Sequence, residues 1–261
     1  MFKRGLLALL FIACPLVAGA QSISCGPESE LASLVRCTGR AVTLLPEDKA
    51  GKVHDKLLDT AELVGGTALR REMAEGIRQS PERHDGPETS YPDYGWQAAR
   101  ELLLKGGGDA LVQAAREKSG PLRYGRAEAM LAAGIRAAGY ETDDAADVLD
   151  LLKPALALRL SDELLSLAGT AGAFERGDLA HAAAKLAAYR CDLERFERAR
   201  IMAAAPEAIR YDFWRARITG DRSKLPHSIA VHAAGKDTRP VRQALEGITF
   251  LAEVGDCAPG A

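Results

Sequence analysis

Arg210, Trp214 and Arg217 stand four and three residues apart, a spacing that sets two guanidinium groups and an indole on one face of a helix. Such a set could grip a carboxylate or an acidic peptide, because Arg and Trp are favoured as recognition anchors. The same stretch carries Tyr211, Phe213, Arg215 and Arg222, and the helix pair before it carries Arg190, Arg195, Arg198 and Arg200. The alternative reading buries Phe213 and Trp214 in the core and pairs the arginines with Glu194, Glu197, Asp212 and Asp221.

Other residues capable of chemistry point more weakly. Asp143, Asp144 and Asp147 form an acidic cluster where a helix after Gly139 should start, and acids there stabilise the helix dipole. Two distant carboxylates brought together by the fold would be enough for a glycoside hydrolase, so an enzyme is not excluded. His227 and His232 are five apart and fall on different sides of a helix, and His84-Asp85 are adjacent, a poor geometry for a base and its orienting acid. The glycines 106–108 follow a helix and read as a helix-to-helix turn rather than a phosphate cradle. GxSxG, HExxH, a Walker loop and CxxC are all missing, so neither a cofactor nor a metal is expected.

The elements that must position these groups are helical. From residue 28 onward apolar residues recur every three or four positions, and Gly, Pro and Asp punctuate the runs. Of 261 residues 47 are alanine and only 5% are aromatic, which favours closely packed helices over a β-rich core. Six glycines, Gly65, Gly107, Gly139, Gly177, Gly220 and Gly255, recur at intervals of roughly 30–45 residues, each read as a helix end, after which an Asp, as in Gly177-Asp178, Gly220-Asp221 and Gly255-Asp256, can cap the next helix. Alanines such as Ala168, Ala171, Ala182, Ala183 and Ala187 would let helix axes approach closely.

This punctuation resembles that of the tetratricopeptide-repeat and related α-solenoid families, best at Gly177-Asp178-Leu179 with Ala182 and Leu186, and at Leu186-Ala187 with Phe196 and Ala199. The resemblance covers residues 50–255 in outline. It implies an all-α fold of antiparallel helical hairpins stacked as a right-handed solenoid of the tetratricopeptide kind, and a scaffold for binding protein or peptide.

Residues 1–20, with Lys3-Arg4, an apolar run from Leu6 to Val17 and Ala18-Gly19-Ala20, read as a cleaved signal peptide, with a lipoprotein signal around Cys14 as a weaker rival. Residues 21–78 form an N-terminal helical section, 79–95 a Pro/Gly-rich loop or linker, and 96–261 the helical-repeat section. Four cysteines remain after the cut. Cys25 with Cys37 and Cys191 with Cys257 is the favoured pairing among three possible, provided residues 25–27 fold back along the first helix. A formal net charge of −2 argues against nucleic acid, and no later run is long enough to span a membrane. The resulting expectation is a periplasmic, non-catalytic protein that binds a protein or peptide in the bacterial envelope. A cell-envelope hydrolase and an immunity protein against a periplasmic toxin are the alternatives.

Overall fold

The computed structural model describes residues 23–76, 93–233 and 237–257. The signal segment, Cys14, His84-Asp85 and nearly all of the 79–95 loop lie outside the described residues. Within them the chain is all-α: α1 (Leu31–Val42), α2 (Glu47–Gly76), α3 (Tyr94–Glu117), α4 (Arg126–Ala137), α5 (Pro154–Thr170), α6 (Ala173–Tyr189), α7 (Leu193–Met202), α8 (Arg210–Thr219), α9 (Leu225–His232) and α10 (Thr238–Val254). Short 3-10 turns at Gly120–Arg123 and Leu149–Leu151 bridge α3 to α4 and α4 to α5.

Local chemistry sets the boundaries. Carboxylates of Asp93, Asp192 and Asp237 accept the backbone N–H of Trp96, Arg195 and Arg239 at 2.9, 3.0 and 2.9 Å, capping α3, α7 and α10. Pro154 opens α5, where its missing N–H is not needed. The two longest helices are each broken by the same device. Gly66 (φ 64°, ψ −164°) and Gly107 (φ 65°, ψ −156°) occupy a backbone region open essentially to glycine alone, so α2 and α3 each change course there. Five of the six spaced glycines do end or break a helix. Gly177 does not: it lies inside α6, and a Cβ there would meet Ala204 Cβ at 3.0 Å. The α5–α6 turn falls earlier, at Ala171-Gly172.

Consecutive helices from α3 to α7 pack on one another, each also touching the next but one. They share a core in which alanines from α4, α5 and α6 are prominent. The remaining helices do not extend this stack in a line. α1 and α2 pack against α10, and α1 also against α9, so the two ends of the described chain are neighbours around a second core of Leu34, Leu57, Phe213, Ile229, Leu245 and their companions. The two disulfides join Cys25 to Cys37 (Cα–Cα 5.2 Å) and Cys191 to Cys257 (Cα–Cα 5.7 Å). The second fastens the segment after α10 to the α6–α7 turn.

Candidate functional site

Arg210, Trp214 and Arg217 do share one face of α8, and that face turns inward. Trp214, 6% exposed, lies among rings, with His181 at 5.1 Å, Tyr211 edge-on at 5.2 Å and Phe250 at 6.5 Å. Arg217 is 1% exposed: its Nη2 donates to Tyr140 Oη at 2.7 Å, its Nη1 donates to the Ala188 carbonyl, and its guanidinium lies 5.6 Å from the Tyr140 and Phe250 ring centres. Arg210 is half-buried, with Nη1 3.4 Å from His181 Nε2. The open Arg-Trp face expected from the spacing is therefore interior packing, because the apolar rings around α8 claim that side of it. Of the four carboxylates the alternative reading named, Glu197 pairs with Arg215 and Arg200, whereas Arg195 takes Asp192 and Asp162 and the carboxylates of Asp212 and Asp221 accept from Ser228 and Ser223.

His181, on α6, faces Tyr211 and Arg210 of α8. Burial, then the charges of Arg210 and Lys185, lower its pKa to about 4, so the ring is neutral at pH 7. With Arg210 donating toward Nε2, the proton sits on Nδ1 and is given to Tyr211 Oη at 3.1 Å. This unit ties α6 to α8.

The Asp143–Asp147 cluster has a different job from capping. No helix starts there. Asp144 accepts both Nε and Nη2 of buried Arg136 at 2.9 and 3.0 Å, an arrangement that holds its carboxyl below the ordinary value, and Asp147 accepts Arg100 Nε at 3.0 Å. Arg136 in turn lies 4.2 Å over Trp96. These carboxylates clasp the α4–α5 connection to α3 and α4. His227 and His232 sit at opposite ends of α9.

The surface offers a site elsewhere. A groove of about 310 Å³ runs between the start of α3 and the turn before α4, lined by Tyr94, Gln97, Glu101, Pro121, Tyr124 and Glu128, among others. Its tyrosines are 67% and 81% exposed. The helices can approach this closely because residue 95 is glycine: a Cβ there would lie 3.0 Å from the Glu128 carbonyl carbon. Lys118 and Arg126, which bracket Tyr124 in sequence, both bond Glu175. Burial alone would raise the Glu175 carboxyl, but those two partners outweigh it and hold it below its usual range. Its neighbour Phe174 is 92% exposed, so the same end of the stack carries a further aromatic ring. Sequence reasoning passed over Tyr94, placed in the 79–95 loop, and Tyr124. The available signal was an aromatic residue in a Gly120-Pro121…Gly125 turn, where no core periodicity calls for one.

Comparison with family models, curated proteins and solved structures finds no match.

Proposed function

We propose that this chain is a non-catalytic, exported helical-repeat protein that binds another protein or peptide in the bacterial envelope, and that the Tyr94–Tyr124 groove is its contact surface. The observation that carries this is the pair of well-exposed tyrosines, Tyr94 at the start of α3 and Tyr124 in the turn before α4, that line one groove with Glu101 and Glu128. Tyrosine supplies large contact area at low entropic cost, and ring faces beside carboxylates suit a lysine or arginine of a partner. On this reading α3–α7 is the scaffold, a run of antiparallel hairpins of the tetratricopeptide kind. Two disulfides support an oxidising compartment such as the periplasm. No helix among the described residues is long and apolar enough to cross a membrane.

The test is capture of the oxidised mature chain with its partner after in-cell crosslinking, beside a Tyr94→Ala/Tyr124→Ala form. A discrete protein partner that the double substitution loses supports the reading. A partner retained undiminished by that form refutes the groove as the contact. A second reading, an envelope-polysaccharide hydrolase, draws on Glu101 and Glu128 lining the same groove. It requires release of soluble fragments from cell-wall material, abolished by Glu128→Gln.

A further inference from the structure

Among the described residues three arginines are almost wholly buried, and their surroundings differ in one respect. Arg126 has the carboxylate of Glu175 at 2.6 Å, and Arg136 has Asp144 at 2.9 Å with Glu141 at 3.5 Å. Arg217, the most enclosed of the three at 1% exposure, has no carboxylate ion pair among the described residues. The acids nearest it in sequence bond other groups, Asp212 with Ser228 and Asp221 with the Ser223 N–H, and Asp256, next to Cys257, pairs with Arg222. Its own partners are a carbonyl, a phenol and two ring faces, and its Nε–H has no hydrogen-bond partner among the described residues. A buried cation in neutral company bears a desolvation cost that nothing of opposite charge offsets.

What remains within reach of the guanidinium is sulfur. Arg217 Nη1 lies 3.4 Å from Cys191 Sγ and 3.3 Å from Cys257 Sγ, placed almost evenly across the disulfide. The Cys257 N–H also donates to the Arg217 carbonyl at 3.0 Å, so side chain and backbone of one residue hold the end of the chain. We propose that Cys191–Cys257 is a redox-active disulfide, opened by thiol–disulfide exchange with a dithiol, whose reduced form carries a thiolate that serves as the counter-ion of Arg217. Both cysteines are partly exposed, which gives an external thiol access.

The exchange balances as follows. A thiolate of the external dithiol attacks one protein sulfur, the S–S bond breaks, and its electron pair leaves on the other sulfur as a thiolate within reach of the same Nη1. The second thiol of the reductant, losing its proton, then attacks the mixed disulfide and releases the first cysteine. Two electrons pass from the dithiol, which becomes a disulfide; of its two protons, one left to solvent when the attacking thiolate formed and the other is taken up by the released cysteine, so the second cysteine stays a thiolate. A stabilised leaving thiolate speeds this reaction and favours the reduced state. Opening the bridge frees residues 255–257 from the α6–α7 turn while Cys25–Cys37 stays closed. At Cys25–Cys37 the nearby Arg36 is already bonded to Glu72 at 2.8 Å, and Arg40, which lines the same surface pocket as Cys37, is exposed to solvent rather than buried against the sulfurs.

The test uses the full mature chain. In graded mixtures of reduced and oxidised dithiothreitol, with alkylation and peptide mapping, Cys191–Cys257 should open at a lower proportion of reductant than Cys25–Cys37. In the chain reduced at that bridge, the pH profile of iodoacetamide alkylation should give one of these two cysteines a midpoint at least about one unit below the ordinary thiol value of roughly 8.5. Arg217→Lys should keep the lowered midpoint, and Arg217→Gln should return it to the ordinary value. A wild-type midpoint at or above roughly 8.5 overturns the proposal even if neither variant folds, as does simultaneous reduction of the two bridges.

Discussion

The core that runs through α3 to α7 and the core that joins the two ends of the chain bury their residues by different means. In the first, close to half of the buried side chains are alanine; in the second alanine is about a fifth, and leucine, valine and isoleucine with Phe213 fill the space. The stack gains from close approach of helix axes, seen where Gly134 in α4 leaves room only for the Leu186 methyls of α6. Its partners are helices adjacent or nearly adjacent in sequence. The closing core unites residues about as far apart as the chain allows: Thr60 and Thr249 hydroxyls are 3.2 Å apart and Lys56 reaches Glu246 at 3.2 Å. Closing so long a loop costs entropy before any contact forms, and large apolar side chains supply the compensating burial. The stack should therefore suffer from enlargement and the closing core from truncation.

Phe213→Ala is the strongest probe of that contrast. With Phe213 fully buried between α8 and α10, the loss should be about 3–5 kcal/mol in a denaturant titration, and a value under about 1 kcal/mol would mean the ends are not joined by a packed core. The converse test is Ala133→Leu in α4, fully buried in the stack, expected to cost about 1–3 kcal/mol by overpacking. Gly107→Ala isolates backbone strain from packing, since a Cβ at that position meets nothing within 4 Å. The expected loss is about 1–3 kcal/mol, compared by thermal melting with wild type.

Smaller effects follow from the α6–α8 contact. The folded His181 has its pKa lowered from 6.5 to about 4, so between those values the unfolded chain binds more protons. Stability present above pH 6.5 should fall as the pH drops toward about 4. In His181→Gln, unfolding curves at several pH values should lose this part of the slope; an unchanged slope would place its origin in other groups. The smallest change in stability, within about 0.5 kcal/mol, is expected for Tyr94→Ala/Tyr124→Ala, because both rings are largely in solvent. Calorimetry should find that form as stable as wild type while capture finds its partner gone.

Helix type, the Gly-Gly breaks and both cysteine pairs were legible because each is written in short-range pattern: three-to-four periodicity, special backbone angles, and half-cystines near one another along the chain or at its C-terminal side. Closure of the ends was not, since periodicity states which face of a helix is apolar and nothing about which distant face it meets. Gly177 misled because the letter is the same for a helix end and for a position inside a helix pressed by another segment, here Ala204 just after α7. Asp144 and Asp147 read as caps for a helix after Gly139, but no α-helix starts there and Arg136 and Arg100 hold them instead. Arg217 reads as a surface charge by type, and only the surrounding Tyr140, Phe250 and disulfide reveal an interior one. The Tyr94–Tyr124 groove depends on Gly95 letting α3 approach α4, a relation between segments that no single stretch records.

Native-state hydrogen exchange on the oxidised chain, resolved by residue, bears most directly on the claim that α1 and α2 close onto α10 to form one body. The structure predicts that the most protected amides of α2 and α10 open together, with the same free energy, and that Phe213→Ala lowers both by the same amount. Opening of α1 and α2 at a much lower free energy, with α10 still protected and unaffected by their loss, would contradict it.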